Sequence, residues 1–133
     1  GGEKGLPAAM GGSRVVSGEP FMLWTKEALL ALALYVQAVT AQPVACIAEW
    51  ESGFDAMAIG AAGEIGVVQW LPTTHEWLTG LFRERADLGH PLWSLLADGV
   101  TLGNPVHDML LAAWAMSEGY GGHWSTWRWC NGR

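Results

Sequence analysis

The sequence predicts a single, mainly helical domain with one small β element. Apolar residues recur at helical spacing in several segments that are bounded by residues typical of helix ends. One glycine-rich stretch, residues 55–70, lacks that spacing. Half of the 133 residues are hydrophobic and 15% are charged, which is typical of a chain that buries a core. We expect the domain to cover residues 21–133 and a flexible or irregular arm to cover residues 1–20.

The first half of the chain predicts two helices. Thr25 is a typical N-cap, and the apolar run after it predicts a helix to about Thr40. Because this run is apolar on nearly all sides, we expect it to be the central core helix. It is shorter than the roughly 20 residues that a membrane span needs, so we expect no membrane insertion. Pro43 suits a first helical turn and Gly53 a helix end, which predicts a second helix over residues 43–52.

The second half predicts a β element and further helices. Residues 55–70 contain glycines among small and β-branched residues, which favours a short hairpin or an extended flap. Thr73 and Glu76 have the spacing of a capping box, which predicts a helix from there to about Arg85. Residues 91–98 predict a short helix. The last predicted helix starts at Asn104-Pro105 and stops at Gly119.

The charge of the chain excludes some classes of partner. The net charge of −6 argues against a nucleic-acid partner, because too few basic residues are present to neutralise a phosphate backbone. No phosphate-binding or dinucleotide-binding fingerprint occurs, and His75-Glu76 starts a zinc-peptidase pattern that Thr79 breaks. We expect a monomer without a cofactor or a metal.

Two cysteines, Cys46 and Cys130, lie far apart in the sequence and in no metal-binding pattern. A disulfide between them would tie the end of the chain to the second helix and would fit an extracellular, periplasmic or virion-associated protein. Two buried free thiols are the alternative that composition leaves open.

Glu51 is the strongest candidate for a catalytic group. It lies in the last turn of the second predicted helix, where unpaired carbonyl groups disfavour a negative charge. A carboxyl group that stays protonated there could act as a general acid. The alternative is a solvated surface acid. Gln69 carries donors and an acceptor that suit a sugar, although a glutamine that braces a loop is the more ordinary reading.

Tryptophan is unusually frequent, with nine residues. Aromatic faces stack on the apolar faces of sugars, so some of these rings are candidate walls of a sugar-binding cleft, with Trp70 as the first choice and most of the others in the core. The candidates are Trp70, Trp77, Trp114, Trp124, Trp127 and Trp129.

Glu51-Ser52-Gly53-Phe54, followed by Gly63-x-x-Gly66-x-x-Gln69 and Leu71-Pro72, resembles the catalytic core of the soluble lytic transglycosylases and, more distantly, the goose-type lysozymes. The resemblance covers roughly residues 29–77. It implies an α+β lysozyme-like fold with a hairpin or flap beside the cleft, peptidoglycan glycan strands as the substrate, and Glu51 as the single catalytic acid. We expect substrate contacts from Ser52, Glu64, Gln69, Trp70, Trp114 and Tyr120.

The chain departs from that family in a late helix. Family members usually carry a tyrosine and an asparagine in an Ala-Tyr-Asn-Ala-Gly-like run, where this chain has Ala113-Trp114-Ala115-Met116. Trp114 could replace the tyrosine as a packing surface but has no phenol hydroxyl, which Tyr120 could supply from another position. The ending Gly122-His123-Trp124-Ser125-Thr126-Trp127 resembles some phage-borne murein-cleaving domains.

The sequence leaves the reaction type open. The resemblance implies a one-acid lytic transglycosylase, in which Glu51 protonates the glycosidic oxygen and the muramic acid C6 hydroxyl then closes a 1,6-anhydro ring. A hydrolytic muramidase would need a second acid, for which Glu64 is the best placed. A murein-binding module without activity and an enzyme on chitin or chitosan are further alternatives.

Overall fold

Five α-helices and two short 3₁₀ helices form the secondary structure of residues 24–132, the part of the chain that this computed structural model describes. The chain is mainly helical, as predicted. The whole arm predicted over residues 1–20 and the first three residues of the predicted domain, 21–23, lie outside the described residues. The α-helices are α1 (Lys26–Thr40), α2 (Val44–Ser52), α3 (Pro72–Arg85), α4 (Pro105–Ser117) and α5 (Trp127–Cys130), and the 3₁₀ helices are Trp93–Leu96 and Gly121–His123.

Three helix ends follow from single residues that the sequence marks. The Thr25 hydroxyl accepts a hydrogen bond of 3.0 Å from the backbone N–H of Ala28 at the start of α1. Gly53 ends α2 with a φ of 62°, and its N–H donates to the carbonyls of Ala48 and Glu49. The Asn104 side chain accepts from two backbone N–H groups in the first turn of α4. These three predicted helix ends are confirmed.

Three local predictions need correction. Helix α3 begins at Pro72, and Leu71 is its N-cap without a side-chain hydrogen bond. Because Pro72 already fixes the first helical φ, Thr73 lies inside the helix and forms no capping box with Glu76. Pro43 stands before α2 as its N-cap rather than inside it. The predicted helix over residues 91–98 is only the four-residue 3₁₀ helix.

Helix α4, rather than α1, is the central helix of the core. Every residue of α4 from Asp108 to Met116 is buried. Helix α1 packs against α2 and α4 through Leu29, Ala33 and Val36 and leaves other apolar side chains of the helix exposed. The prediction that α1 is the central core helix is therefore wrong. No helix within residues 24–132 is both long and apolar enough to span a membrane.

Residues 59–70 form a compact loop, here called the glycine loop, where a short hairpin or an extended flap was predicted over residues 55–70. Two isolated antiparallel bridges hold it, from Ile65 to Ile59 and from Ile65 to Trp70. Ile65 and Trp70 exchange two backbone hydrogen bonds of 2.9 Å each. Gly66 has a φ of 84°, and a Cβ at this position would lie 2.6 Å from Oδ2 of Asp108 on α4. The loop is thus pressed closely onto the central helix.

Candidate functional site

A cleft of about 160 Å³ opens where the end of α2, the glycine loop, the start of α3 and residues 123–125 meet. Pockets that enclose a whole small ligand usually measure about 300–1,000 Å³. This cleft can therefore surround only part of a larger molecule, whose remainder would extend over the protein surface. Its lining residues are Glu51, Glu64, Gln69, Trp70, Leu71, Thr74, His123, Trp124 and Ser125.

Glu51 is partly buried in this cleft, in the last turn of α2. Its Oε2 accepts a hydrogen bond of 2.8 Å from the hydroxyl of Thr126, which immediately precedes α5. This bond holds one carboxyl oxygen in place and so limits the rotation of the carboxyl group. Thr126 is a part of the site that sequence reasoning missed.

A disulfide joins α2 to α5 behind this contact. Cys46 of α2 and Cys130 of α5 are bonded, with their Cα atoms 5.6 Å apart. The carbonyl of Thr126 accepts hydrogen bonds from the N–H groups of Trp129 and Cys130. The bonded cysteine and Thr126 therefore belong to one hydrogen-bonded turn, and the disulfide fixes that turn beside Glu51. Cys46 and Cys130 are therefore not the two free thiols of the alternative prediction.

Gln69 braces the glycine loop. It has a φ of 57°, and its Nε2 donates to the carbonyls of Ala58 and Gly66 at 3.1 and 2.9 Å. These two bonds use both hydrogens of the amide, so the group that could still bind a ligand is the carbonyl oxygen Oε1. Gln69 therefore braces the loop, as the more ordinary interpretation of the sequence predicted. A sugar could be bound only by its oxygen Oε1, as a hydrogen-bond acceptor.

Glu64 and Glu51 line the same cleft. Glu64 Oε1 accepts a hydrogen bond of 2.9 Å from the N–H of Ala62 and lies against Gly60, where a larger residue would collide with it. The glycine loop therefore holds this second carboxyl group in the lining of the cleft.

Two tryptophans that were expected to contact substrate are buried instead. Trp70 is only 1% exposed; its indole N–H donates to the carbonyl of Asp108, and its ring packs edge-on against Trp124. Trp114 is 2% exposed on α4, where it packs edge-on against Phe82. At these exposures neither ring has a face free for stacking on a sugar, although Trp70 still borders the cleft. The prediction of stacking by Trp70 and of a substrate contact by Trp114 is wrong.

Ser52 and Tyr120 lie outside the lining of the cleft. The Ser52 hydroxyl donates to the carbonyl of Val67 at 2.7 Å, which ties the end of α2 to the glycine loop. The Tyr120 hydroxyl accepts a hydrogen bond of 3.2 Å from Arg85. The hydroxyl group that contacts the Glu51 carboxyl is therefore that of Thr126 and not that of Tyr120.

The C-terminal segment contributes three residues to the cleft, of which only Trp124 was a candidate from the sequence. His123, Trp124 and Ser125 form one side of the cleft. Trp124 is 4% exposed, and its indole N–H donates to the carbonyl of Val68 at 2.8 Å, so it anchors the segment to the glycine loop. The signal in the sequence that could have found these residues is the ending at residues 122–127.

Asp108 is a buried acid beneath the glycine loop. Its side chain is fully buried, Oδ1 accepts a hydrogen bond of 3.1 Å from Gly103, and Oδ2 has no hydrogen-bond partner within the described residues. Burial raises the pKa of the Asp108 carboxyl to about 8, and the bond from Gly103 opposes the shift. Asp108 is therefore mostly a neutral carboxylic acid at pH 7.

His75, on α3, is a second buried titratable group near the cleft. Its ring meets the edge of Trp70 at a centroid distance of 5.6 Å, and its Nε2 has no hydrogen-bond partner among residues 24–132. Burial lowers the pKa of His75, and nearby His107 lowers it further. His75 therefore favours the neutral form and fits a packing role under the cleft wall.

Comparison of the chain with protein-family models, with curated proteins and with solved structures finds no match. Any assignment of function therefore rests on the geometry of the cleft and on the sequence motifs that build it.

Proposed function

We propose that this domain cleaves the β-1,4 bond between N-acetylmuramic acid and N-acetylglucosamine in peptidoglycan, with Glu51 as the general acid and base. The observation that carries the proposal is the position of Glu51, partly buried in a cleft and oriented by Thr126. A fixed carboxyl group at the reacting bond is what general acid catalysis needs. A lysozyme-like arrangement of the helices around the glycine loop belongs to the same proposal.

In the proposed reaction the protonated Glu51 carboxyl donates its proton to the glycosidic oxygen as the bond to C1 of the muramic acid breaks. The resulting carboxylate then takes the proton of the C6 hydroxyl, whose oxygen bonds to C1 and closes a 1,6-anhydro ring. Glu51 ends protonated, as it began, and no water is consumed. Oε1 of Gln69 would accept a hydrogen bond from the bound sugar, and Thr126 would keep the carboxyl group aligned through both steps.

Glu64 supports a second candidate, a hydrolytic muramidase. It lines the same cleft as Glu51, and in that mechanism it would activate a water molecule or form a covalent intermediate. We favour the one-acid route because the glycine loop already engages Glu64 through the N–H of Ala62.

The test compares Glu51→Gln with Glu49→Gln on purified peptidoglycan. Both residues lie on α2, but Glu49 is exposed and is not part of the cleft lining. We expect the unsubstituted protein and Glu49→Gln to release soluble fragments and Glu51→Gln to release none. An intact substrate with all three proteins would favour the murein-binding module without activity instead.

The disulfide supports an extracellular, periplasmic or virion-associated setting.

A further inference from the structure

An exposed aromatic cluster lies beside the cleft, formed by Trp77, Tyr120 and His123 and here called the aromatic platform. The ring centroid of Trp77 lies 5.3 Å from that of Tyr120 and 5.6 Å from that of His123. The ring centroids of Tyr120 and His123 are 6.3 Å apart. Trp77 is 47% exposed although it is among the largest apolar side chains of the domain. This exposure leaves ring surface accessible to a ligand.

The aromatic platform adjoins the cleft on the side formed by α3 and His123. His123 belongs to both, since it lines the cleft and touches Trp77. Thr74 also lines the cleft, and it lies three residues before Trp77 on α3. Residues at this spacing share a helix face and are separated by less than one helical pitch of about 5.4 Å. A chain that leaves the cleft along α3 would therefore pass over Trp77.

The chemistry of the platform fits a sugar ring. Trp77 supplies an apolar ring, and the rings of Tyr120 and His123, which carry a hydroxyl group and ring nitrogens, pack against it. Arg85, near the end of α3, donates to the hydroxyl of Tyr120 and so fixes that ring. A pyranose has a matching arrangement, with an apolar face and hydroxyl groups around its edge, and aromatic side chains with a polar handle suit such half-wet surfaces.

We infer that the aromatic platform is a second sugar subsite, which binds a sugar of the glycan strand beyond those held in the cleft. The inference rests on the proposed function, and it adds a substrate preference: long strands of β-1,4-linked N-acetylated sugars should bind better than a disaccharide. The small volume of the cleft gives the physical reason, because most of a long strand has to lie outside it.

The test measures binding by calorimetry with Glu51→Gln as the parent protein, so that no probe is cleaved. The probes are the disaccharide and the hexasaccharide of β-1,4-linked N-acetylglucosamine. We expect Trp77→Leu to weaken hexasaccharide binding about tenfold, the effect of losing one aromatic contact, and to leave disaccharide binding unchanged. The matched control is Trp50→Leu, which removes another exposed tryptophan that does not line the cleft and should change neither affinity.

Equal hexasaccharide affinity in the parent and in Trp77→Leu would overturn the subsite, as would an equal loss for both probes. A second measurement needs no substitution at Trp77: in Glu51→Gln, the indole N–H resonance of Trp77 should shift on addition of the hexasaccharide and not on addition of the disaccharide. Failure of the proposed function can be told apart from failure of the subsite. In that case the unsubstituted protein would leave peptidoglycan intact, while hexasaccharide binding would still depend on Trp77. If the hexasaccharide does not bind at all, the subsite is overturned as well.

Discussion

The hydrogen bond from Thr126 to Glu51 is the contact on which the proposed chemistry depends most at the scale of single residues. Removing it would let the carboxyl group rotate away from the glycosidic oxygen, and a displacement of about 1 Å can reduce a rate by about 100-fold. We expect Thr126→Val, which keeps the shape but not the hydroxyl, to lower kcat by about 10-fold to 100-fold with little change in thermal stability.

Thr126→Ser is the matched control, because it keeps the hydroxyl and should retain most of the activity. The measurement is the rate of fragment release from peptidoglycan by both variants. Full activity of Thr126→Val would mean that the bond seen in the structure does not position the acid.

Asp108 predicts how stability depends on pH. Its pKa is about 8 in the folded protein and about 3.9 in an unfolded chain, so between these values the unfolded chain loses a proton that the folded protein keeps. The contribution of Asp108 to the free energy of unfolding is therefore greatest below about pH 4. It should fall by about 1.4 kcal/mol per pH unit as the pH rises, and level off above about pH 8.

Asp108→Asn removes this titration, so the free energy of unfolding of the unsubstituted protein, measured in urea from pH 5 to pH 8, should fall relative to that of Asp108→Asn as the pH rises. A constant difference between them across this range would contradict a raised pKa for Asp108.

Helix α5 and its disulfide form the element that brings Thr126 to the site. Breaking the bond between Cys46 and Cys130 removes a long-range tie, which on the chain-entropy model is worth roughly 4 kcal/mol. It also frees the turn that holds Thr126, so we expect reductant to lower activity as well as stability. The measurement is fragment release with and without reductant, beside non-reducing peptide mapping for a linked Cys46–Cys130 peptide.

A Cys46→Ala, Cys130→Ala double variant should have the low activity of the reduced protein and be insensitive to reductant. Two alkylatable thiols in unreduced protein, or unchanged activity after reduction, would contradict this role of α5.

Two glycines, Gly66 in the glycine loop and Gly80 on α3, predict substitutions with opposite effects on stability. Gly66→Ala would place a Cβ 2.6 Å from Asp108 Oδ2 at a φ of 84°, so we expect a loss of about 1–3 kcal/mol in unfolding free energy. Gly80→Ala, inside α3 with nothing within 4 Å of the new Cβ, should stabilise by up to about 1 kcal/mol. Thermal unfolding of both variants provides the comparison, and equal melting temperatures would contradict the close packing of the loop on α4.

The elements also show where sequence reasoning succeeds and where it stops. Thr25, Gly53 and Asn104 fix helix ends through contacts within a few residues, so their roles are readable from local sequence. The burial of Trp70 depends on Asp108 and Trp124, which are distant in sequence. The contact between Thr126 and Glu51 spans 75 positions, and no local pattern encodes it.

At the scale of the whole molecule, the site lies where distant parts of the chain meet on one side of the helical core. Helix α2 supplies Glu51, the glycine loop supplies Glu64 and Gln69, and the C-terminal segment supplies His123 and Thr126. The net charge of −6 gives no general attraction for the anionic cell wall. Substrate recognition in this account therefore depends on hydrogen bonds in the cleft and on stacking at the aromatic platform.

The most direct test of the central claim is mass spectrometry of the muropeptides released from purified peptidoglycan, with Glu51→Gln analysed beside the unsubstituted protein. We expect the unsubstituted protein to release products that are lighter than hydrolytic ones by one water molecule, as ring closure requires, and Glu51→Gln to release none. Products with reducing ends would instead assign hydrolysis and direct attention to Glu64. Equal release by both proteins, or no release by either, would contradict Glu51 as the catalytic acid.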